Sequence, residues 1–427
     1  MRVNFLQYRK ISFVTIVCVS QVILMSHCID ADKENEDKQS PIETVSSVEF
    51  SNFVGAEACK TCHTEIYQSH QNTAHFKTSS LASDSTIRGS FAKGKNSYVF
   101  SNGSIMMMEN RNGIFHQTEF IDGIEKRTHT MDIVVGSGTK GQSFLYWGEK
   151  RLYQHPMTYF TARDQWSNSP GYPNKAMFQK PVTGRCMECH TSFAGFAPND
   201  QPKQVAENFN KDQLILGINC ERCHGPGKEH VSFHQQNPGD SIGKNIRNPA
   251  NFTRRQKLDL CALCHAGGLL KPQTASFEYT AGDDLSKYFT WDTSGISNKY
   301  LDVHGNQYGL MMLSRCYQQS GELTCNSCHQ PHENEKNKVK IYSTRCMNCH
   351  TVSKGNFCTL KDKSVKSLAE NCIDCHMPKQ MSRSIAVQLQ GETVPTPSLL
   401  RTHFIQVYDK DVNAFVEGEK KAEKKKL

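Results

Sequence analysis

The sequence predicts short helices and irregular loops packed around covalently bound prosthetic groups, with one β-rich insert. Three observations lead to this fold class. The pentapeptide Cys-x-x-Cys-His occurs seven times in 427 residues. The hydrophobic fraction is 37% and the mean hydropathy is −0.58, low values for a chain that builds its core from side chains alone. Turn signals at regular spacing are concentrated in one stretch, between the first and second pentapeptides.

The seven pentapeptides, here called motifs one to seven, are the most specific signal in the chain. They are Cys59–His63, Cys186–His190, Cys220–His224, Cys261–His265, Cys325–His329, Cys346–His350 and Cys372–His376. Cys-x-x-Cys-His is the attachment signal for c-type haem. Cysteine pairs of this spacing also build zinc sites, but zinc does not require a histidine directly after every pair, and all seven pairs have one. We therefore predict the fold of a multihaem cytochrome c with seven covalently attached haems c.

The spacing within each motif has a chemical cause. Two thiols three residues apart lie on one side of a helical turn, where both can add to the vinyl groups of one haem. The predicted attachment residues are Cys59, Cys62, Cys186, Cys189, Cys220, Cys223, Cys261, Cys264, Cys325, Cys328, Cys346, Cys349, Cys372 and Cys375. The histidine after each pair then reaches the iron as an axial ligand, and imidazole suits iron. The predicted ligands of this kind are His63, His190, His224, His265, His329, His350 and His376.

The net charge gives no support for nucleic-acid binding. The formal charge is +8 at pH 7. Seven haems would bring fourteen propionates, which are ionised near neutral pH like other carboxylates, and these groups move the charge of the haem-loaded protein to the negative side. The partners that we expect are therefore redox proteins or membrane electron donors, and no nucleic acid.

Residues 1–27 have the pattern of an export signal. Arg2, Arg9 and Lys10 form the positive start, and the apolar run Ile11–Met25 is shorter than the roughly 20 residues that cross a bilayer. Cys28 stands where a lipoprotein would be cleaved and acylated, with ordinary cleavage nearby as the alternative. Residues 28–50 form a polar linker. We expect an exported protein, periplasmic or attached to the outer membrane, anchored through lipid on Cys28.

The rest of the chain divides into four segments that differ in composition and sequence pattern. Residues 51–84 form a first haem segment, residues 85–170 a β-rich insert, residues 171–409 a six-haem region and residues 410–427 a charged tail. Within the insert the turn signals Asn102-Gly103, Asn112-Gly113 and Asp122-Gly123 recur at about ten-residue spacing, which allows one strand per interval.

Several short stretches carry a resemblance to a known family. They are Gly136-Ser-Gly138 with Tyr146, Asp164-Gln-Trp166, Ser169-Pro-Gly-Tyr172, Gly217–Gly227, Arg247-Asn-Pro-Ala250, Leu323–His332 and Cys375-His-Met-Pro-Lys379. In order and spacing the set resembles the multihaem cytochromes of the cytochrome c-552/c-554 class, related in haem arrangement to hydroxylamine oxidoreductase. It is closest to a subgroup often fused to helical repeats. No repeats follow His403 in this sequence, so docking through such repeats is not implied.

Further histidines are candidates for the second axial position of the irons. The resemblance implies His332, His230, His304 and His403, which match recurring positions of the family. His75, in Asn72-Thr-Ala-His75, and His129, on a predicted strand, complete the predicted set. We expect His70, His116, His155 and His234 to serve in the core or at the surface instead.

Two thiols of the mature body lie outside the motifs. Cys316 and Cys358 bracket motifs five and six, and exported proteins meet an oxidising compartment. We expect a disulfide between them, with two free thiols as the alternative.

Two functions remain open at this point. The first is electron transfer between redox partners, in which histidines on both faces of each haem leave no iron open. The second is a multihaem reductase or oxidase of a small nitrogen or sulfur compound, which requires a five-coordinate haem. Six candidate second ligands serve seven irons, so one or two irons are left for the second function. Electron transfer is the preferred prediction, with no catalytic residue assigned.

Overall fold

The computed structural model describes residues 48–197, 207–294, 296–297, 299–336, 338–360 and 365–424. The predicted export signal, Cys28, nearly all of the polar linker and the last residues of the charged tail lie outside the described residues. Among the residues described, no helix combines the length and apolar character that crossing a membrane requires.

Eleven strands lie between residues 79 and 181. They are β1 Ser79–Leu81, β2 Ser97–Val99, β3 Ile105–Arg111, β4 Ile114–Ile121, β5 Ile124–Thr130, β6 Ile133–Val135, β7 Gly141–Trp147, β8 Leu152–Gln154, β9 Met157–Phe160, β10 Gln165–Asn168 and β11 Lys180–Pro181. Strands β2 to β5 form a four-stranded antiparallel sheet in chain order. The other seven form a second sheet with the order β1-β6-β7-β8-β11, in which β9 pairs with β7 and β10 with β9.

Two tight turns connect strands β3, β4 and β5. Asn112 and Gly113 have φ values of 55° and 84°, and Asp122 and Gly123 have φ values of 52° and 76°. Positive φ at both central residues is the requirement of a type I′ turn, which matches the twist of the strands that it connects. The two turns fix the register, because Arg111 pairs with Ile114 and Ile121 with Ile124.

The strands enclose a core of their own side chains. The largest cluster of buried residues combines both sheets and includes Tyr98, Met106, Met108, Phe144, Met157, Trp166 and Phe178. On β3, Met106 and Met108 are fully buried while Ile105 is exposed, as expected for alternation along a strand with one face on the core.

Twelve α-helices, seven single-turn 3-10 helices and three antiparallel strand pairs make up the remaining regular structure of the described residues. The α-helices are α1 Ala56–Lys60, α2 Thr64–His70, α3 Gly184–His190, α4 Cys220–His224, α5 Lys228–Gln236, α6 Arg254–His265, α7 Gln307–Met312, α8 Arg315–Gln319, α9 Val339–Met347, α10 Val365–Glu370, α11 Ile373–His376 and α12 Asp409–Lys424. The paired strands are β12 Thr191–Phe196, β13 Phe209–Leu216, β14 Leu270–Pro272, β15 Phe289–Trp291, β16 Lys379–Val387 and β17 Thr396–Arg401.

Side-chain cores become sparse toward the C-terminal motifs. One cluster forms around α6, with Leu258 and Leu263 buried against residues up to Met311. Among the described residues, no buried member of a hydrophobic cluster lies between Met311 and Val387, the stretch that carries motifs five to seven. A stretch of that length needs another source of buried apolar surface to stay compact.

Gly217 positions the approach to motif three. Its φ is 71°, and a Cβ at this position would collide with the carbonyl oxygen of Phe76. Only glycine permits both the backbone conformation and the close approach. The chain entering motif three therefore passes directly along the loop that follows motif one.

Candidate functional site

Each motif occupies one helical turn. Motifs two, three and four lie within α3, α4 and α6. In motifs one, five, six and seven the backbone N–H of the histidine donates to the carbonyl of the first cysteine, with distances of 2.9 Å at His63 and His329, 3.0 Å at His350 and 3.1 Å at His376. This hydrogen bond brings both cysteines and the histidine to one side of the turn, as attachment to one haem requires.

The fourteen motif cysteines are free thiols in the structure. Cys375 is buried, Cys62, Cys186 and Cys349 are exposed, and the other ten are half-buried. Most of them therefore lie between the surface and the interior, and Cys264 and Cys325 pack against the cluster around α6.

Five motif histidines have the Nδ1 atom held by an oxygen. The partners are Thr78 Oγ1 for His190 at 3.2 Å, the Arg247 carbonyl for His224 at 2.9 Å, Gln307 Oε1 for His265 at 3.2 Å, the Asn356 carbonyl for His350 at 3.0 Å and the Gln406 carbonyl for His376 at 3.1 Å. A carbonyl acceptor fixes the proton on Nδ1 and leaves Nε2 free to bind a metal.

Four motif histidines face a second imidazole ring. The ring centroids are 6.5 Å apart for His63 and His230, 6.0 Å for His224 and His332, 6.0 Å for His265 and His75, and 6.2 Å for His329 and His403. The rings are nearly parallel in three pairs, at 16°, 14° and 26°, and steeply inclined at 71° between His265 and His75.

These separations fit an iron held between two imidazoles. A bond from a metal to an imidazole nitrogen is about 2 Å long. With the distance from nitrogen to ring centre added on both sides, two ligands of one metal have centroids roughly 6 Å apart. The residues present therefore fit a haem iron at all four places.

His304 and His190 form a fifth association through their electrostatic interaction. Burial is the largest cause of the lowered pKa of His190, about 4, and the nearby His304 lowers it further. His304 also acts on His265. His304 therefore lies near both His190 and His265, and of these two motif histidines His265 already faces His75.

Burial favours the neutral form of five of these imidazoles. It lowers the pKa of His75 and of His403 to about 4, and it also lowers the pKa of His224, His332 and His329. A neutral imidazole offers the lone pair that a metal needs, whereas a protonated ring does not.

The structure does not bring His129 to a motif histidine. Its ring stacks on Tyr146 with a centroid distance of 4.1 Å and packs against Phe178 at 4.9 Å. The reason is its position on β5, within the sheets whose core consists of their own side chains.

The expected disulfide is not formed in the structure. Cys316 and Cys358 are both free thiols. Cys316 is half-buried and interacts electrostatically with Cys328 and Cys349, whereas Cys358 is exposed and acts on Cys375. The two thiols therefore have different neighbours, on motifs five and six in one case and on motif seven in the other.

Contacts between cysteines of different motifs connect the seven motifs. The thiols of Cys59 and Cys220, of Cys189 and Cys264, of Cys261 and Cys325, and of Cys346 and Cys372 interact in pairs, and each interaction raises the pKa of one thiol and lowers that of the other. Electrostatic interactions join Cys223 with Cys261 and Cys328 with Cys349. Motifs one, three, four, five, six and seven thus follow one another in a row, and motif two lies beside motif four.

Buried ionic groups inside the motifs hold motifs two, three and four together. Glu188, between the cysteines of motif two, is 1% exposed. Its carboxylate accepts from Arg185 at 2.7 Å and from the backbone N–H of Phe277 at 2.9 Å, and it lies 3.9 Å from Arg222 of motif three. Arg185 also donates to the carbonyl of Leu263, inside motif four, at 2.6 Å.

Glu221 performs a similar role between motifs one and three. It lies between the cysteines of motif three and is buried. Its carboxylate accepts the backbone N–H groups of Val54, Gly55 and Gly227, each at 2.9 Å. Val54 and Gly55 directly precede α1, so motif three fixes the entry of the chain into motif one.

Arg345 connects motifs five and six. It precedes the first cysteine of motif six and donates to the carbonyl of Cys328 in motif five at 2.6 Å. It also pairs with the buried carboxylate of Glu335, with 2.8 Å between Nη1 and Oε2. This hydrogen bond is the main cause of the lowered pKa of Glu335.

Sequence reasoning missed the roles of Glu188, Glu221 and Arg222. Their charge was visible in the sequence, but their burial was not, because Lys60 and Asp374 occupy similar positions between motif cysteines and have half-exposed side chains. The identity of the partner depends on which motifs become neighbours, and the order along the chain does not give that.

The comparisons with known proteins agree with the motifs. The family model described as cytochrome c554 and c-prime matches residues 58–98 and 154–225, which contain motifs one, two and three. No curated protein matches the chain. A solved structure, the outer cell wall cytochrome OcwA, matches with a TM-score of 0.53 and 17% identity over 85% of this chain and 81% of that one. At this identity the match concerns the fold. Together, the family match and the fold support a multihaem c-type cytochrome.

Proposed function

We propose that the chain is an exported seven-haem c-type cytochrome that carries electrons between redox partners. The observation that supports this most strongly is the row of neighbouring motifs, in which cysteines of successive motifs interact electrostatically and Arg345 joins motifs five and six by a hydrogen bond of 2.6 Å. Each bound haem would supply an iron that alternates between the ferric and ferrous states. Cysteine side chains at these positions would hold neighbouring haems close to one another.

The protein side of each site follows from the motif. The fourteen motif cysteines would attach seven haems, and the seven motif histidines would be the first axial ligands. His230, His332, His75, His403 and His304 would be the second ligands for motifs one, three, four, five and two. His129 is not included, because it packs on Tyr146.

Export and anchoring remain proposals that rest on the sequence. The positive start, the short apolar run and Cys28 indicate an exported lipoprotein, periplasmic or attached to the outer membrane. The name of the structural neighbour, an outer cell wall cytochrome, is in keeping with a surface location. Redox proteins or membrane electron donors are the partners that this position would offer.

Intact mass tests the haem content directly. Seven haems would add roughly 4.3 kDa to the mature polypeptide through thioethers at the seven motifs. A mature protein that carries six haems or fewer would show that the motifs are not all used.

A pair of variants tests the row itself. Replacing Cys261 and Cys264 by Ala removes the haem of motif four, which stands between motif three and motif five. Replacing Cys186 and Cys189 by Ala removes the haem of motif two, which lies beside the row, and is the matched control. Both variants lose one haem by mass. Reduction of the haems, followed by stopped-flow absorbance, should show two distinct phases only in the motif-four variant, because the remaining haems are then divided into two groups. Identical kinetics in both variants would contradict the proposed order.

A further inference from the structure

Seventeen of the eighteen histidines lie within the described residues, and five of these are neither motif histidines nor paired with one as a second ligand. The Nε2 atom of His70 contacts the Ile218 carbonyl at 3.0 Å. His129 stacks on Tyr146, and His234 packs edge-on against His230 at 4.6 Å.

The other two lie in the β-rich part. His116 is on β4, with its Nδ1 atom 3.0 Å from the Ile114 carbonyl. His155 is fully buried, with its Nε2 atom 2.9 Å from the Thr130 carbonyl. Of the histidines that the structure describes, none is therefore left to face His350 of motif six or His376 of motif seven.

His350 and His376 are nevertheless arranged as metal ligands. Their Nδ1 atoms lie 3.0 Å and 3.1 Å from the carbonyls of Asn356 and Gln406, the same arrangement that His224 has with Arg247. Each therefore presents Nε2 to a haem. Motifs six and seven differ from the other five because no second described histidine lies on the opposite side of the position that their haems would occupy.

The two motifs are also neighbours at one end of the row. The backbone N–H of Cys372 in motif seven donates to the hydroxyl of Ser343 at 2.9 Å, and Ser343 lies on α9, the helix that leads into motif six. The thiols of Cys346 and Cys372 also interact electrostatically. Haems attached at these motifs would stand side by side. A ligand at one iron would therefore be within reach of electrons from the other.

Lysine side chains collect beside motif seven. Lys379 follows His376 by three residues and begins β16. The Lys140 ammonium donates to the Leu399 carbonyl on the paired strand at 2.7 Å. Burial lowers the pKa of Lys140, and the nearby ammonium groups of Lys379 and Lys336 lower it further. A cluster of positive charge attracts small anions.

We propose that irons held by His350 and His376 would have no second histidine ligand and would form a binding site for small exogenous ligands. A neutral diatomic molecule would bind the reduced irons, and a small nitrogen or sulfur oxyanion would bind the oxidised irons. The proposal rests on haem attachment at all seven motifs. It goes beyond electron carriage, because an open iron permits chemistry on the ligand as well.

Titration with carbon monoxide of the reduced, haem-loaded protein tests the proposal. Two carbon monoxide molecules should bind per chain, and the oxidised protein should show two high-spin haems of seven. Replacing Cys372 and Cys375 by Ala should lower both counts to one. His332→Ala should raise the count to three by opening motif three, whereas His116→Ala, on the β-rich side, should leave it at two.

The outcomes separate the two proposals. Fewer than seven haems by mass would remove the basis of the proposed function. Seven haems with fewer than two carbon monoxide molecules bound would overturn this inference and leave electron carriage intact. A count of two that persists after loss of motif seven would also overturn it. Nitrite that shifts the high-spin spectrum of the oxidised wild type, but not of a variant lacking motifs six and seven, would support the anion site.

Discussion

The β-rich part and the stretch that carries motifs five to seven stabilise themselves in different ways. Between residues 79 and 181, buried Tyr, Phe, Met and Trp side chains of two sheets form one continuous cluster. Between Met311 and Val387, the described residues contribute no buried member to any such cluster. Three haem attachment motifs occupy this second stretch.

The difference shows what each part depends on. A β core of this kind is complete without a cofactor, because strand pairing and apolar burial supply its stability. Short helices isolated from a core are marginal in water. The stretch that carries motifs five to seven would therefore depend on the apolar surface of attached haems for its stability, whereas the strands would not.

The largest expected effect is the loss of haem. Without haem attachment, the stretch that carries motifs five to seven should lose compact structure and the strands should remain, because, among the described residues, only this stretch lacks a cluster of buried side chains. Limited proteolysis of protein expressed without haem maturation should leave a resistant fragment that contains residues 79–181. The haem-loaded protein, digested in parallel, should resist over most of its length.

Two results would contradict this contrast. Complete digestion of the haem-free protein would mean that the strands depend on haem as well. A full-length resistant chain would mean that the stretch that carries motifs five to seven has enough side-chain packing of its own.

The next effect is expected for a substitution of Glu188, in motif two. Glu188→Gln leaves the partly buried guanidinium groups of Arg185 and Arg222 without their carboxylate, and because breaking a fully buried ion pair costs about 3–5 kcal/mol, the loss here should be at or below the lower end of that range. Denaturant unfolding followed by haem absorbance measures this loss. The potential of nearby haems should also rise, because a negative charge that favours the ferric state has been removed.

Glu278→Gln is the matched control, since Glu278 is exposed one residue beyond Phe277. It should change neither the stability nor the potential. Equal effects of the two substitutions would show that the buried contacts of Glu188 contribute nothing specific.

A core substitution in the β-rich part tests whether its stability comes from its own side chains. Met108 is fully buried, so Met108→Ala should cost about 2–5 kcal/mol by leaving a cavity. Ile114→Ala, at a side chain that is 54% exposed, should cost far less. Pulse proteolysis measures both. The haem spectrum and the haem count should stay unchanged in both variants, and a loss of haem in Met108→Ala would show that the two parts are coupled.

The parts of the fold that follow from local chemistry were predictable from the sequence. The Asn-Gly and Asp-Gly signals at 112–113 and 122–123 are the turns between β3, β4 and β5, because few other residues tolerate positive φ twice in succession. The cysteine and histidine spacing likewise predicted one helical turn per motif. Both signals lie within a few residues of the structure that they specify.

Long-range pairings were only partly predictable. His332 and His75 lie opposite motif histidines, whereas His129 does not, because its strand belongs to a sheet that supplies its own core. The carboxylate contacts of Glu188 and Glu221 depend on which motifs become neighbours, a property of the folded chain. Local patterns carry no information about such contacts.

The smallest expected effect concerns pH and the contact between motifs five and six. The hydrogen bond from Arg345 lowers the pKa of Glu335 below its ordinary value of 4.5. Because the folded pKa is the lower one, the ionised carboxylate stabilises the folded state above the unfolded pKa, and this contribution disappears as the pH falls through the folded pKa. Glu335→Gln should therefore cost about 1–3 kcal/mol at pH 7 and almost nothing at strongly acidic pH.

Unfolding midpoints of wild type and Glu335→Gln, measured from pH 7 down to the acid range, should converge as the carboxylate protonates. Glu333→Gln serves as the control, because Glu333 is exposed two residues away on the same loop. Its curve should follow wild type throughout. A constant difference between wild type and Glu335→Gln at every pH would show that the substitution acts through packing, and that the charge of Glu335 does not hold motif six against motif five.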